Sequence, residues 1–163
     1  MNITVRLAED TDREQLINVF NYYVTNGFAA YSTKPIPPQV FDMLKSMCRE
    51  GHFYVAVNSE NNVIGFAMLK FYFNADCFAK TAEVGYFILP EYTNQGLGAR
   101  LLNTLTQAAI SIGIKVLTAN VSSLNPESLA FHLKQGFTQC GRLVNVGEKF
   151  SRNFDVIWFQ KSI

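Results

Sequence analysis

The sequence predicts an α/β protein (an α+β mixed sheet): a central, mostly antiparallel sheet of about seven strands flanked by four helices. Three observations lead there. Short runs alternate apolar and polar residues, while others repeat apolar residues at helical spacing. The two kinds of run interleave in the order β α α β β β α β α β β. Consecutive strands sit in the middle of that order, which a purely parallel sheet does not contain. With 163 residues, 48% hydrophobic and 17% charged, the chain can bury one core, and residues 1–163 read as one domain.

Each element has its own signal. Ile3, Val5 and Leu7 alternate within a first strand over residues 2–8. Thr11-Asp12-Arg13-Glu14 has the form of a capping box, followed by Leu16, Phe20, Tyr23 and Val24 on one helical face and Gly27 at its end. After the proline-rich loop "STKPIPPQ", Val40, Met43, Leu44 and Met47 mark a second helix closing near Gly51. "FYVAV" (53–57), the turn "NSENN" and "VIGFAMLKFYF" (63–73) form a hairpin. "TAEVGYFIL" (81–89) is a further strand, stopped by Pro90. Leu97, Leu101, Leu105, Ala108 and Ile112 give a third helix, closed by Gly113, and "KVLTANV" (115–121) is a buried strand. Asn125-Pro126-Glu127 supplies an N-cap, a proline at the first position and an early acid for a fourth helix running to Gly136. "GFTQCGRLVNV" and "FDVIWFQKS" are the last two strands.

Composition excludes several partners. The net charge is +1, and the nearest approach to a basic cluster is Lys149 with Arg152, so no nucleic-acid surface is expected. Cys48, Cys77 and Cys140 are odd in number and far apart, without metal-ligand spacing. They read as buried or half-buried free thiols in a reducing compartment, and no metal is expected. The N-terminus lacks an apolar signal core, and no run approaches the ~18 apolar residues of a membrane helix. The expectation is a cytoplasmic protein with no membrane partner.

The stretch "YFILPEYTNQGLGARLL" (86–102) carries the first functional signal. A strand ends, glycines allow close backbone approach, and a helix starts with free amides that favour an anion, most naturally a phosphate. Ala99-Arg100 after the second glycine departs from a P-loop, and Leu101 occupies the third small position of a dinucleotide fingerprint. A different pyrophosphate ligand is implied.

That stretch, followed by "LTANVSSLNPESLAFHLKQGF", resembles the signature of the GNAT acetyltransferases, [QR]-x-x-G-x-[GA] opening a helix and a later strand, Asn and helix. "FNYYV", "YSTKP", "AEVGYF", "FHLKQGF" and "NVGEKFSRNFDVIWFQ" are similar in order and spacing to the phosphinothricin N-acetyltransferase-like subgroup. The resemblance covers nearly the whole chain. It implies a GNAT-like fold and acetyl-CoA (coenzyme A) as co-substrate, lying where the central strand splays from the next. It implies main-chain pairing of the pantetheine arm with Phe87, Ile88 and Leu89. Amides of Asn94, Gln95, Gly96, Leu97, Gly98, Ala99 and Arg100 would hold the pyrophosphate, and Asn125, helped by Ser128, would reach the arm. It also implies a homodimer. The signature's Gln or Arg position is Thr93, and the subgroup's basic positions before the central strand hold Phe73 and Ala75, which makes the expected acceptor pocket more apolar.

Acetyl transfer to an amine needs a base for the ammonium and donors for the developing oxyanion. Glu83, inside an otherwise apolar strand, is the candidate base, since burial raises a carboxyl toward a useful range. His132 is the candidate acid or proton relay; a helix-packed histidine is the competing reading. Tyr31, Tyr72, Phe78 and Tyr86 are candidate walls of the acceptor pocket, and Lys149 is a substrate contact or a structural ion. The expected activity is acetyl-CoA-dependent N-acetylation of the primary amine of a small molecule, an amino acid or an analogue resembling phosphinothricin or methionine sulfone. The alternatives are a protein or peptide N-acetyltransferase, and a non-catalytic acyl-CoA-binding sensor.

Overall fold

The computed structural model describes residues 2–163, and its sheet is built outward from a strand that has a full partner on only one side. Thr81–Ile88 (β4) pairs antiparallel along its length with Val63–Phe71 (β3). On its other edge it meets Val116–Ser122 (β5) in parallel for only three residues, Thr81↔Val116 to Glu83↔Thr118. β3 continues to Cys48–Val57 (β2) and Thr4–Leu7 (β1), both antiparallel. On the far side, Arg152–Ser162 (β7) lies between β5 and Thr138–Lys149 (β6), giving the order β1-β2-β3-β4-β5-β7-β6. The mixed seven-stranded sheet and the four helices follow the predicted order.

Arg13–Asn26 (α1) and Val40–Ser46 (α2) cover one face of the sheet, and Leu97–Ser111 (α3) and Pro126–Lys134 (α4) the other. The alternation of β4 feeds both layers. Val84 and Ile88 pack with Leu101 and Leu105 of α3, whereas Phe87 meets Phe20 of α1 and Phe66 of β3. Glu83 therefore shares the face of α1 and α2, while Tyr86 shares that of α3 and α4.

Local chemistry moves several boundaries. The capping interaction before α1 lies earlier than the Thr11 box: Asp12 accepts from the Glu9 amide at 2.8 Å and pairs with Arg6, closing a 3-10 turn at Asp10–Asp12. In α2 the fully buried residue is Phe41; of the expected stripe Leu44 packs beside it on the core, while Met43 and Met47 are exposed. α2 stops at Ser46, and β2 begins before Gly51 with a register shift between Cys48 and Phe53. Cys48 is buried as expected, but Cys77 and Cys140 are exposed. Among the described residues, no helix is long and apolar enough to cross a membrane.

Candidate functional site

Where β4 and β5 part, the sheet opens into a cavity of about 860 Å³, well within the size range of ligand pockets. It runs past Glu83, Tyr86, Gly96, Gly98, Asn125 and His132. Both candidate catalytic residues and the glycine turn thus line one space, although Glu83 projects from one face of the sheet and His132 stands on α4, which covers the other.

The anion end is built by backbone. Asn94 (φ 58°) and Gly96 (φ 83°) take left-handed conformations on either side of Gln95, which turns successive amides inward in the manner of an anion nest. Leu97, Gly98 and Ala99 then supply the first helical amides, which have no intrahelical acceptor. Arg100 does not belong with them: its amide donates to Gly96 O at 3.0 Å and its guanidinium to Ile3 O at 2.7 Å. Of the turn's side chains, Gln95 donates back to Glu91 O and Leu97 is buried in the core. A group bound here would meet main-chain donors, and a pyrophosphate fits that donor set.

The middle of the cleft corrects the expected pantetheine contacts. Leu89 N donates to Ile64 O at 2.9 Å, so Ile64 and Leu89 form a hydrogen-bonded pair. Antiparallel pairs alternate, so Phe87, Gly85 and Glu83 also turn their main chain toward β3. Phe87 and Leu89 are therefore not available to the arm. Val84 turns its main chain toward β5, where the Glu83↔Thr118 pairing occupies its amide, and Tyr86 and Ile88 turn theirs toward the gap. The Ile88 carbonyl already accepts from the Tyr23 hydroxyl. Asn125 lines the cavity and caps α4, accepting from Ser128 N at 3.3 Å; Ser128 lines it too.

At the acceptor end the Glu83 carboxylate is ion-paired with Lys70 and accepts from Asn120 Nδ2 at 3.0 Å. Its side chain is 13% exposed. Tyr31 also lines this part of the cavity, stacked on Phe154 with 5.7 Å between ring centroids. Desolvation and the Glu83 charge push its hydroxyl up to about 12.

His132 is buried, and both ring nitrogens are engaged. Nδ1 lies 2.7 Å from Ser128 O, and a carbonyl only accepts, so Nδ1 carries the proton. Nε2 then accepts from the Tyr86 hydroxyl at 2.6 Å. Burial holds the imidazole below its ordinary pKa, despite the opposing Ser128 bond. Tyr86, itself pushed up by burial, brings the polar end of this pair to the cavity.

Three candidate substrate contacts lie elsewhere. Tyr72 and Phe78 pack with Phe73, and Tyr72 also meets the edge of Trp158; neither lines the cavity. Lys149 is 3% exposed and donates to Tyr23 O, Gly27 O and Ala30 O at 3.1, 2.7 and 2.8 Å. Its ammonium closes the end of α1 and has no donor left for a substrate. Sequence reasoning missed Lys70, Asn120 and Tyr23. A signal for Lys70 existed, since it is the one charged residue in "VIGFAMLKF".

Comparison with known proteins agrees with this geometry. Residues 16–137 match the model of the "Acetyltransferase (GNAT) family". A phosphinothricin N-acetyltransferase of Alcaligenes faecalis is 30% identical over 98% of this chain and 82% of its own. An L-methionine sulfoximine/L-methionine sulfone acetyltransferase of Salmonella typhimurium is 27% identical over 97% of this chain and 93% of its own. Among solved structures, a ribosomal-protein-alanine N-acetyltransferase of Brucella melitensis superposes with a TM-score of 0.87, at 27% identity over 98% of this chain and 99% of that one. A phosphinothricin acetyltransferase of Sinorhizobium meliloti in complex with AcCoA superposes with a TM-score of 0.91, at 24% identity over 100% and 89% of the two chains.

Proposed function

The chain belongs to the GNAT acetyltransferase family, an acyltransferase with acetyl-CoA as its co-substrate, and from that premise we propose that it acetylates the primary amine of a small amino acid or amino-acid analogue. The observation that carries the reading is Glu83, a carboxylate held by two donors inside the cavity where β4 and β5 part. Relatives that act on phosphinothricin and on methionine sulfoximine or sulfone support the substrate class.

Glu83 takes a proton from the acceptor ammonium, directly or through a water. The gap-facing amide of Tyr86, beyond the last β4–β5 pair, is a donor for the carbonyl oxygen as charge develops on it. Asn94, Gln95, Gly96, Leu97, Gly98 and Ala99 hold the pyrophosphate through main chain. His132, neutral and bonded at both ring nitrogens, accepts the Tyr86 hydroxyl proton and fixes that side chain at the cavity wall, so it positions Tyr86 rather than acting as the acid. Tyr31 walls the acceptor side.

A peptide acceptor is the second reading, favoured by the similarity to the ribosomal-protein-alanine N-acetyltransferase. We take residues 1–163 to work as one catalytic domain, in the cytoplasm, where exposed thiols such as Cys77 and Cys140 stay reduced. A homodimer is supported by exposed Leu143, Val144, Val146 and Phe150 along and just beyond the outermost strand, β6.

The test is thiol release from acetyl-CoA with free amino acids, their sulfone and sulfoximine analogues, polyamines and peptides. Release with the small α-amino acids supports the first reading. Release with peptides alone transfers the assignment to the second.

A further inference from the structure

Lys70 is a primary amine paired with the carboxylate proposed as the base. Its register partner across β3 and β4 is Glu83, and the two side chains form an ion pair on the face shared with α1 and α2. The ammonium lies over Gly85: a Cβ there would stand 3.6 Å from Lys70 Cε and 4.0 Å from Nζ. Those are ordinary contact distances, and they place the lysine's end directly above the glycine backbone. Lys70 lines the same cavity as Glu83, Gly85 and the glycine turn. Its side chain retains 21% exposure, so the amine is not sealed in the core. Asn120 from β5 donates to the same carboxylate oxygen, and Tyr31 supplies a neutral hydroxyl.

We propose that Lys70 is an internal acetyl acceptor: bound to acetyl-CoA without an amine substrate, the enzyme acetylates its own Lys70. The inference rests on the reading of Glu83 as the base. Glu83 takes one proton from the Lys70 ammonium, and the neutral Nζ attacks the acetyl carbonyl carbon. The new bond is the Nζ–C amide and the bond broken is carbon–sulfur; coenzyme A leaves as the thiolate and takes up the proton delivered to Glu83, while the second proton that Nζ sheds on becoming an amide passes to solvent. The products are Nε-acetyl-Lys70 and free coenzyme A, with no further reactant required. Acetylation removes the lysine's charge. It breaks the pair with Glu83 and leaves an acetamide in the acceptor end of the cavity. Self-acetylation is thus a brake that engages when acetyl-CoA is plentiful and the acceptor scarce, and an acceptor ammonium competes with it for the same carboxylate.

The experiment is intact-mass and peptide-mapping mass spectrometry of the full chain after incubation with acetyl-CoA alone, beside the thiol-release assay on the amine panel. The expected result is a single added acetyl group, mapped to Lys70. Lys70→Arg should abolish it, Glu83→Gln should slow it roughly tenfold or more, and L-methionine sulfone should suppress it. An unmodified Lys70, with thiol release intact on the amine panel, overturns the inference and leaves the proposed function standing. Equal acetylation of Lys70 in Glu83→Gln and the parent protein also overturns it, because the transfer is then uncatalysed. Lys70 acetylation that needs Glu83, with no release on any small amine, supports the inference and removes the small-molecule reading instead.

Discussion

Asn120 of β5 donates to the Glu83 carboxylate of β4 across 3.0 Å, two residues beyond Thr118, where the pairing of the two strands stops. The side chains bridge what the backbones no longer do. The strands part, and the cavity begins, at the residue proposed to handle the proton.

Replacing Glu83 by Gln keeps the shape and removes the base. kcat should fall about 10²–10⁴-fold, with the KM for acetyl-CoA little changed, because the carboxylate stands away from the glycine turn. Steady-state kinetics on the preferred amine checks this. A loss under tenfold in a folded variant removes Glu83 from the role.

Gly96 sits at φ 83° with nothing within 4 Å of where a Cβ would go. Gly96→Ala meets no steric obstacle and should cost about 1–2 kcal/mol of strain from the left-handed φ while its methyl crowds the anion nest. The expected outcome is a KM for acetyl-CoA raised several-fold and an unchanged KM for the amine. A rise confined to the amine would move the pyrophosphate site elsewhere.

Lys149→Met should be destabilising by roughly 2–4 kcal/mol, because three carbonyls lose their donor in a buried place. Urea denaturation measures the loss. If the lysine were instead a substrate contact, the variant would keep its stability and lose acceptor affinity.

The folded state holds His132 below its ordinary pKa of 6.5, chiefly by burial. As pH falls through 6.5 the unfolded chain takes up the proton first, so this group's contribution to stability is present above 6.5 and is lost progressively below it. His132→Gln removes that contribution. The Tm advantage of the parent protein over the variant should shrink between about pH 7.5 and pH 5.5. A constant difference across that range would mean that the imidazole titrates normally in the fold.

The element order was legible because apolar spacing and caps are local, as with Asn125-Pro126-Glu127 opening α4. The glycine turn was legible for the same reason. The rest depended on register. Which carbonyls of β4 face the gap follows from Leu89 pairing with Ile64, a contact 25 positions away in the chain. Lys70 could be seen as a lone charge in β3, but its meeting with Glu83 needed the β3–β4 pairing. Lys149 stands close to Arg152 in the sequence, yet it serves carbonyls at the end of α1, more than a hundred residues away. The exposure of Met43 and Met47 followed from a packing face centred on Phe41 and Leu44, and a helical stripe does not single out Phe41.

The placement of β7 between β5 and β6 has a consequence for biogenesis. A ribosome delivers β5, α4 and β6 before β7 exists, so the strand that carries Asn120 waits without its antiparallel neighbour. Only when residues 152–162 have emerged can that half of the sheet zip together and fix the wall opposite β4. Translation can therefore complete the β1–β4 half while the cleft is still one-sided. The nascent chain should acquire protease resistance in its first half before it gains any capacity to retain coenzyme A.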